Sequence, residues 1–310
     1  MKENNKQTLH PRNKHKGRYD FVKLIAACPD LKPFVQLNHG NETINFFEPE
    51  AVKTLNKALL KYHYGIPHWD IPPHHLCPPI PSRADYIHYV ADLLARSNRG
   101  IAPKGEKILC VDIGTGASCI YPLIGHQEYN WSFIATDIHK TAITSSQSIL
   151  NANPAIAKMV DLRFQNKAKF ILKAVLKTSE KVDLIICNPP FHSSEKAAKK
   201  AAERKLRNLN ASKAQLNFGG QEHELWCEGG EVQFVQKIIR ESHAYANSCL
   251  WFTTLVSKED HLKLILRRLK KQAIDTFHVI PMGQGNKQSR ILAWTFLDKT
   301  QRIEWAKERF

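Results

Sequence analysis

The sequence predicts an α/β fold: a doubly wound, mainly parallel sheet of seven strands ending in an antiparallel hairpin, behind an N-terminal region of helices and extended chain. Three observations carry this. From Gly100 onward, apolar runs of strand length alternate with helical patterns, and continuous apolar strands joined by helices build a parallel sheet covered on both faces. The last two runs are separated by little more than the polar loop MGQGNKQS, a link too short to cross over a sheet, so that pair is antiparallel. Before Gly100 the pattern differs, with helices and a dense run of prolines.

In chain order, residues 20–28 and 49–64 read as helices. Prolines 67, 72, 73, 78, 79 and 81 then remove donors and fix φ, so residues 66–81 form an extended belt. An amphipathic helix follows over 83–95, with Ile87, Val90, Leu93 and Leu94 on one side. The strands are 107–113, 132–137, 159–164, 182–187 and 249–255, then 276–281 and 291–297. Helices are expected near 118–126, 139–151, 168–178, 231–246 and 258–272. This divides the chain into an N-terminal region, 1–98, and a sheet domain, 99–310, carrying a basic insertion over about 192–229.

At 310 residues, 43% hydrophobic and 24% charged, the composition is that of a globular chain and excludes fibrous or wholly disordered classes. No run approaches a membrane span and MKENNKQTLH lacks the apolar core of a signal peptide, so a cytoplasmic protein is expected. The seven cysteines include no C-x-x-C pair, and His74, His75 and His88 lack metal-ligand spacing; reduced thiols, structural histidines and no metal are the reading. The formal charge of +16, from 45 Lys+Arg against 29 Asp+Glu, points to a polyanionic partner, with nucleic acid the leading candidate. Three clusters hold the charge. Lys2, Lys6, Arg12, Lys14, Lys16 and Arg18 form a basic arm, by composition either a disordered tail or a polyanion contact. Residues 196–213 hold seven Lys/Arg. Lys263, Arg267, Arg268, Lys270 and Lys271 read as the solvated face of a helix.

Two motifs carry chemistry. Asp112-Ile113-Gly114-Thr115-Gly116-Ala117-Ser118 ends the first strand of the sheet and opens a helix, where glycines let a backbone approach a ligand. An ordinary tight turn has the same pattern. The third glycine of a dinucleotide fingerprint is missing, since Cys119, Ile120 and Tyr121 follow. Asp112 suits a cationic ligand end, and Asp137, ending the second strand, is placed to accept from ribose hydroxyls or, alternatively, to cap the helix after His139. S-adenosylmethionine presents both features. The second motif is Asn188-Pro189-Pro190-Phe191, directly after an apolar strand. By average composition, [NDS]-P-P-[FYW] arises by chance roughly once in a hundred chains of this length. If the Asn188 side-chain oxygen and the Pro189 carbonyl each accept one N–H of an exocyclic amine, the nitrogen lone pair is freed to attack a methyl group. Pro190 holds that carbonyl, and Phe191 stacks on an extruded base.

At these residues the chain resembles the bacterial 23S rRNA adenine-N6 methyltransferases, whose eukaryotic relatives methylate RNA hairpins. The resemblance runs through HPRN at 10–13, RYDF at 18–21, LCPPIPSRADYIHY at 76–89, DIGTGASCIYPLIG at 112–125, CNPPFH at 187–192, LWCEGGE at 225–231 and GNKQSRILAWTF at 285–296. It implies a Rossmann-like class I methyltransferase with S-adenosylmethionine as cofactor. In similar proteins the arginine matching Arg83 reaches the cofactor carboxylate. Gly114, Gly116 and Ser118 line the methionine end, Asp137 holds the ribose, and the segment from Gln165 to Ala168 adds contacts. Ala168 replaces a hydroxyl residue, so its contact is not carried over. Asn188 through Phe191 form the catalytic set, with Asn188 also beside the cofactor. The resemblance further implies RNA contacts at Lys6, Arg12, Lys14, Lys16, Arg18, Lys199, Lys200 and Lys287, and 23S rRNA as the partner, free or in large-subunit assembly intermediates; nothing in the sequence argues for more than a monomer. Two rival functions are weighed: a protein glutamine methyltransferase, disfavoured by Phe191 in place of the tyrosine usual there, and a non-catalytic RNA-binding scaffold, disfavoured by the intact N-P-P-F.

Overall fold

In the computed structural model, which describes residues 8–194, 196, 222–284 and 287–310, the basic arm from Leu9 to Arg18 lies against the body of the protein. The His10 ring bonds Asp92 at 2.9 Å, its N–H bonds Asp85 at 3.0 Å, and the Asn13 amide donates to the Pro81 carbonyl at 2.8 Å. Helix α1 (Phe21–Ala27) is capped by Asp20, whose side chain accepts from the Lys23 N–H. A 3-10 turn (Pro29–Phe34) leads into a hairpin the sequence patterning did not announce, β1 (Val35–Asn38) and β2 (Asn41–Ile44). Helix α2 (Pro49–Tyr64) ends at Gly65, φ +63°, in a left-handed cap where Ile66 N–H returns to the Leu60 carbonyl. The proline belt follows without regular structure, as expected. Helix α3 (Ile80–Ala95) starts earlier than the expected Arg83 because Pro81 falls in its first turn, where no N–H is needed.

The sheet domain runs β3 (Leu109–Ile113), α4 (Ile120–Tyr129), β4 (Ser132–Asp137), α5 (Lys140–Asn151), α6 (Pro154–Ala157), β5 (Val160–Phe164), β6 (Val182–Cys187), α7 (Glu222–Leu225), α8 (Gly230–Ser242), β7 (Cys249–Val256), α9 (Glu259–Leu269), β8 (Thr276–Gln284), β9 (Lys287–Thr295) and α10 (Lys299–Arg309). The strand order is β5-β4-β3-β6-β7-β9-β8. Pairing is parallel from β5 through β7, then antiparallel between β7 and β9 and between β9 and β8. This is the anticipated seven-stranded, mainly parallel sheet with its terminal hairpin.

Alternation along the strands divides the core in two. Cys110, Leu184 and Ile186 join a cluster that takes in α2, α3 and α4, while Val111, Ile113, Ile185 and Cys187 join one built with α8 and α9. On α9, Leu262, Ile265 and Leu269 point inward and Lys263, Arg267 and Arg268 outward, so the third basic cluster is a solvated face.

Three expectations are corrected. Residues 168–178 form no helix: the Glu241 carboxylate accepts N–H bonds from Ile171, Leu172 and Lys173 at 2.7–3.1 Å, holding the segment as turns, and Ala174 takes φ +73°. The polar loop over 282–289 is mostly strand, with Met282 opposite Ser289 and Gln284 opposite Lys287. Helix α10 was not anticipated. A capping box of Asp298 and Gln301 opens it, and Asp183, fully buried on β6, closes it by accepting from Trp305 Nε1 at 2.7 Å and from Arg309 at 2.8 Å.

Candidate active site

The chain moves from β3 outward to β5, then returns to β6 on the other side of β3. That reversal opens a crevice beyond the carboxyl ends of β3 and β6, where open α/β sheets bind ligands. A cavity of about 480 Å³ lies there, lined by Gly114, Gly116, Asp137 and Asn188 among others.

The turn after β3 forms one wall. Gly114 (φ +75°) and Gly116 (φ +64°) both take left-handed backbone, and a Cβ on Gly114 would meet nothing within 4 Å, so the glycine is required by conformation and leaves open space for a ligand. Gly114 and Thr115 N–H groups donate to the Thr136 carbonyl at 2.9 Å. From α5, Ser145 and Ser146 hydroxyls donate to the Ala117 and Gly116 carbonyls at 2.8 Å. The loop is therefore held from outside, with its inner surface free.

Charge is arranged around it. Asp112 is fully buried, and neither carboxylate oxygen has a hydrogen-bond partner among the described residues. Burial pushes its pKa up to about 7, with Asp137 adding to the rise and Thr115 and Arg83 opposing it. A buried acid lacking a partner favours a cation brought to it. Asp137 is also buried and raised, principally by burial; it accepts from Gly116 N–H at 3.0 Å and His139 N–H at 2.9 Å. It therefore lines the cavity and does not cap α5, whose N-cap is His139 with no side-chain cap bond. Arg83, on α3, lines the cavity with its guanidinium 5.6 Å from the centre of the Tyr121 ring, and forms no ion pair among the described residues. Ser118 is a lining residue whose carbonyl accepts from Trp69 Nε1 at 2.9 Å. Gln165 also lines it, although its amide is committed to the Lys173 carbonyl at 2.8 Å and the Lys167 N–H at 3.1 Å.

Asn188 and Pro190 line the opposite wall, and Asn188 Oδ1 is buried without a partner among the described residues. Pro189 is buried and Phe191 half-buried outside the cavity lining. The strand end that carries them is fixed by residues the sequence reading passed over. The Tyr86 hydroxyl accepts from Cys187 N–H at 3.3 Å and pairs with the Thr253 hydroxyl at 2.8 Å, which in turn donates to the Ile185 carbonyl. No local pattern marks such long-range bonds.

The LWCEGGE segment, quoted for resemblance and assigned no chemistry, also faces the cavity. Glu224, Trp226 and Cys227 line it, and Glu224 accepts from Leu76 N–H at 2.9 Å, tying the proline belt to this wall. His192 N–H bonds the Leu225 carbonyl at 3.0 Å and Cys227 N–H bonds the His192 carbonyl at 3.1 Å, so the segment is stitched to the chain just after Phe191. A Cβ on Gly230 would come within 3.1 Å of the Ser193 backbone, a direct reason for glycine there. Buried Glu231 anchors the far end on Ser257 N–H at 2.8 Å and His261 at 2.6 Å.

The expected RNA contacts lie elsewhere. Arg12 pairs with Asp92 at 2.6 Å and bonds Tyr129, Lys14 pairs with Glu128 at 2.6 Å, Lys16 bonds the Pro11 carbonyl at 2.7 Å, and Arg18 bonds Asn41. None of the four lines the cavity. Lys6, Lys199, Lys200, most of the insertion and the Lys287 side chain lie outside the described residues. No group of three or more His, Cys, Asp or Glu arranged for a metal occurs among the described residues, and no helix among them is long and apolar enough to cross a membrane.

Residues 3–298 match the model of a family described as RNA methyltransferase. The chain belongs to this family. It is 51% identical over 311 residues to a "Ribosomal RNA large subunit methyltransferase F" of Flavobacterium johnsoniae, covering 98% of both chains, and 52% identical over 310 residues to one of Pseudomonas putida, again with 98% of both covered. Among solved structures it is similar to the hMettl16 catalytic domain in complex with MAT2A 3′UTR hairpin 1, with TM-score 0.81, 31% identity and coverage of 94% of this chain and 96% of that one. It is likewise similar to the N-terminal domain of human METTL16 in complex with SAH, with TM-score 0.74 and 29% identity over 94% of this chain and 100% of the other. The protein is an S-adenosylmethionine-dependent methyltransferase. The residues present fit that cofactor: an orphaned buried carboxylate and an unpaired arginine flank a glycine turn whose inner surface is open, matching a ligand with cationic and anionic ends.

Proposed function

We propose that this methyltransferase modifies the N6 amine of one adenine in 23S rRNA, free or within a large-subunit assembly intermediate, acting as a monomer in the cytoplasm. The observation that carries the reading is Asn188 Oδ1, a buried acceptor without a partner among the described residues, at the carboxyl end of β6 and on the cavity that fits the cofactor. The names of the ribosomal relatives and the +16 charge support the RNA substrate.

S-adenosylmethionine supplies, when bound, an electrophilic methyl group on a sulfonium. Arg83 would hold its carboxylate, with Gly114, Gly116 and Ser118 at the methionine end, Asp112 compensating the ammonium, Asp137 accepting from the ribose and Gln165 beside the adenine side. Asn188 Oδ1 and the Pro189 carbonyl accept the two N–H bonds of the target amine. Its lone pair, otherwise delocalised into the ring, is thereby aimed at the reacting carbon. Pro190 fixes the accepting carbonyl, and Phe191 stacks on the extruded base. Once alkylated, the nitrogen is acidic and releases one proton to solvent. The N-terminal region, 1–98, and the insertion over 192–229 would hold the RNA, with Lys6, Arg12, Lys14, Lys16, Arg18, Lys199, Lys200 and Lys287 meeting phosphates.

Radiolabelled S-adenosylmethionine and 23S rRNA from cells lacking the gene test this, with native protein beside Asn188→Ala and the labelled nucleoside mapped. N6-methyladenosine at one site, lost in the variant, is expected. No label in any rRNA form, with RNA and cofactor still bound, refutes the reading in favour of a binding role.

A further inference from the structure

Trp226 stands out among the cavity-lining residues. Its indole Nε1 is buried and has no hydrogen-bond partner among the described residues. An indole N–H can only donate, and a buried donor without an acceptor is costly to maintain. The other indole in this condition, Trp251, sits in the core with Arg302 against its ring and lines neither large cavity. Trp226 is moreover part of the same backbone unit as the catalytic tetrapeptide, because residues 192 and 226 form a parallel bridge directly after Phe191. One cavity thus contains an orphaned acceptor, Asn188 Oδ1, and an orphaned donor, Trp226 Nε1. An acceptor and a donor on the wall of one cavity complement a heterocycle edge on which an amine neighbours an unprotonated ring nitrogen. Adenine presents that edge twice, through N6 with N1 and N6 with N7, and cytosine once, through N4 with N3, whereas guanine at its six-position and uracil at its four-position present a carbonyl where the amine would be.

We propose that Trp226 is a specificity-determining residue: its indole N–H donates to the ring nitrogen beside the target amine while Asn188 accepts from that amine. This rests on the adenine-N6 reading above and adds how the base is told apart from its oxygen-bearing counterparts.

Atom deletion on both partners tests it. Fragments of 23S rRNA carrying the mapped adenine are made with adenosine, 1-deazaadenosine or 7-deazaadenosine at that position, and kcat/KM is measured for native protein and Trp226→Phe, which keeps an aromatic face and removes the donor. The native enzyme is expected to lose about 10- to 100-fold on one of the two deaza RNAs. Trp226→Phe should lose a similar factor on adenosine, be indifferent to that same deletion, and keep the native affinity for S-adenosylhomocysteine. The proposal is overturned if Trp226→Phe retains native kcat/KM, or if it slows equally on all three RNAs with both deaza penalties unchanged, as a purely structural role would give. If the native enzyme labels no rRNA, the functional reading fails first. The indole is then judged by ¹⁵N-indole spectra of the S-adenosylhomocysteine-bound protein, with the Trp226 resonance identified by its loss in Trp226→Phe. Displacement by adenosine monophosphate and none by guanosine monophosphate upholds the donor; no displacement by either overturns it.

Discussion

Replacing Asp112 by asparagine should make the stability of the unliganded fold less sensitive to alkaline pH while weakening its response to cofactor. Burial raises this carboxyl from its ordinary 3.8 to about 7. Since folding raises the pKa, the protonated acid favours the folded chain; its stability is complete below the ordinary value and is lost as pH rises through 7. At about 1.4 kcal/mol per unit, ionisation of Asp112 costs the fold about 2 kcal/mol near pH 5.5 and about 4 kcal/mol near pH 8.5, where the loss has levelled off. Asparagine does not titrate. Whatever fixed cost its amide carries, the stability of Asp112→Asn relative to the native chain should therefore grow by about 2 kcal/mol between those pH values. Urea denaturation of both unliganded proteins at the two pH values reads this directly. S-adenosylhomocysteine should then raise the native melting temperature more than that of the variant at pH 8.5, because its ammonium gives the carboxylate the cation it lacks. A stability difference that stays constant with pH, or narrows on the alkaline side, refutes the account of Asp112 as an uncompensated acid.

Arg83→Met, which keeps a long apolar stem against Tyr121, should raise the dissociation constant for S-adenosylhomocysteine about 10- to 100-fold by calorimetry, the size of a charge-assisted bond. Tyr86→Phe removes the hydroxyl that ties Cys187 to Thr253 and should lower kcat about tenfold with cofactor affinity unchanged; single-turnover rates beside binding isotherms separate the two. His15 and His88 are both held down to about 3, chiefly by burial and then by neighbouring cationic groups, so they fold neutral. Their contribution is complete above 6.5 and is lost as pH falls toward 3; between about pH 6.5 and 4.5 the pair should cost about 5 kcal/mol, and His88→Gln should remove about half of that slope in urea midpoints.

Where local pattern and global structure agree, the sequence was sufficient. A run over 182–187 that is apolar except for Asp183, followed by Asn-Pro-Pro, announced both a central strand and the wall of the cavity. The turn at Gly114 and Gly116 was readable because only backbone conformation decides it. Residues 168–178 misled because Ile171, Leu172, Val175 and Leu176 have helical spacing, while the group that decides their conformation, Glu241, lies about 70 residues away. The β1–β2 hairpin carried a signal that was missed: His39 and Gly40 both take positive φ, the turn that joins short strands. Charge was countable from the sequence, its disposition was not, since Arg12 and Lys14 fold back on Asp92 and Glu128. Asn188 could be picked out by motif, whereas Trp226 and Tyr86 matter through positions that only the fold creates.

The closure of α10 on β6 joins the middle of the sheet to the end of the chain. Asp183 precedes Asn188 on the same run of chain, yet the groups that satisfy its charge, Trp305 and Arg309, follow it by 122 and 126 residues. While the protein is being translated, the strand that ends at Asn188 emerges with a carboxylate destined for the interior; the Leu109 N–H that bonds one of its oxygens at 2.8 Å is already made, but its cationic partner is not. Without Arg309 that carboxylate keeps its neutral donors but loses its cation inside the sheet, a defect of several kcal/mol by the usual cost of breaking a buried ion pair. The strand that leads into the cavity wall at Asn188 is thereby tied to a helix more than a hundred residues further along the chain.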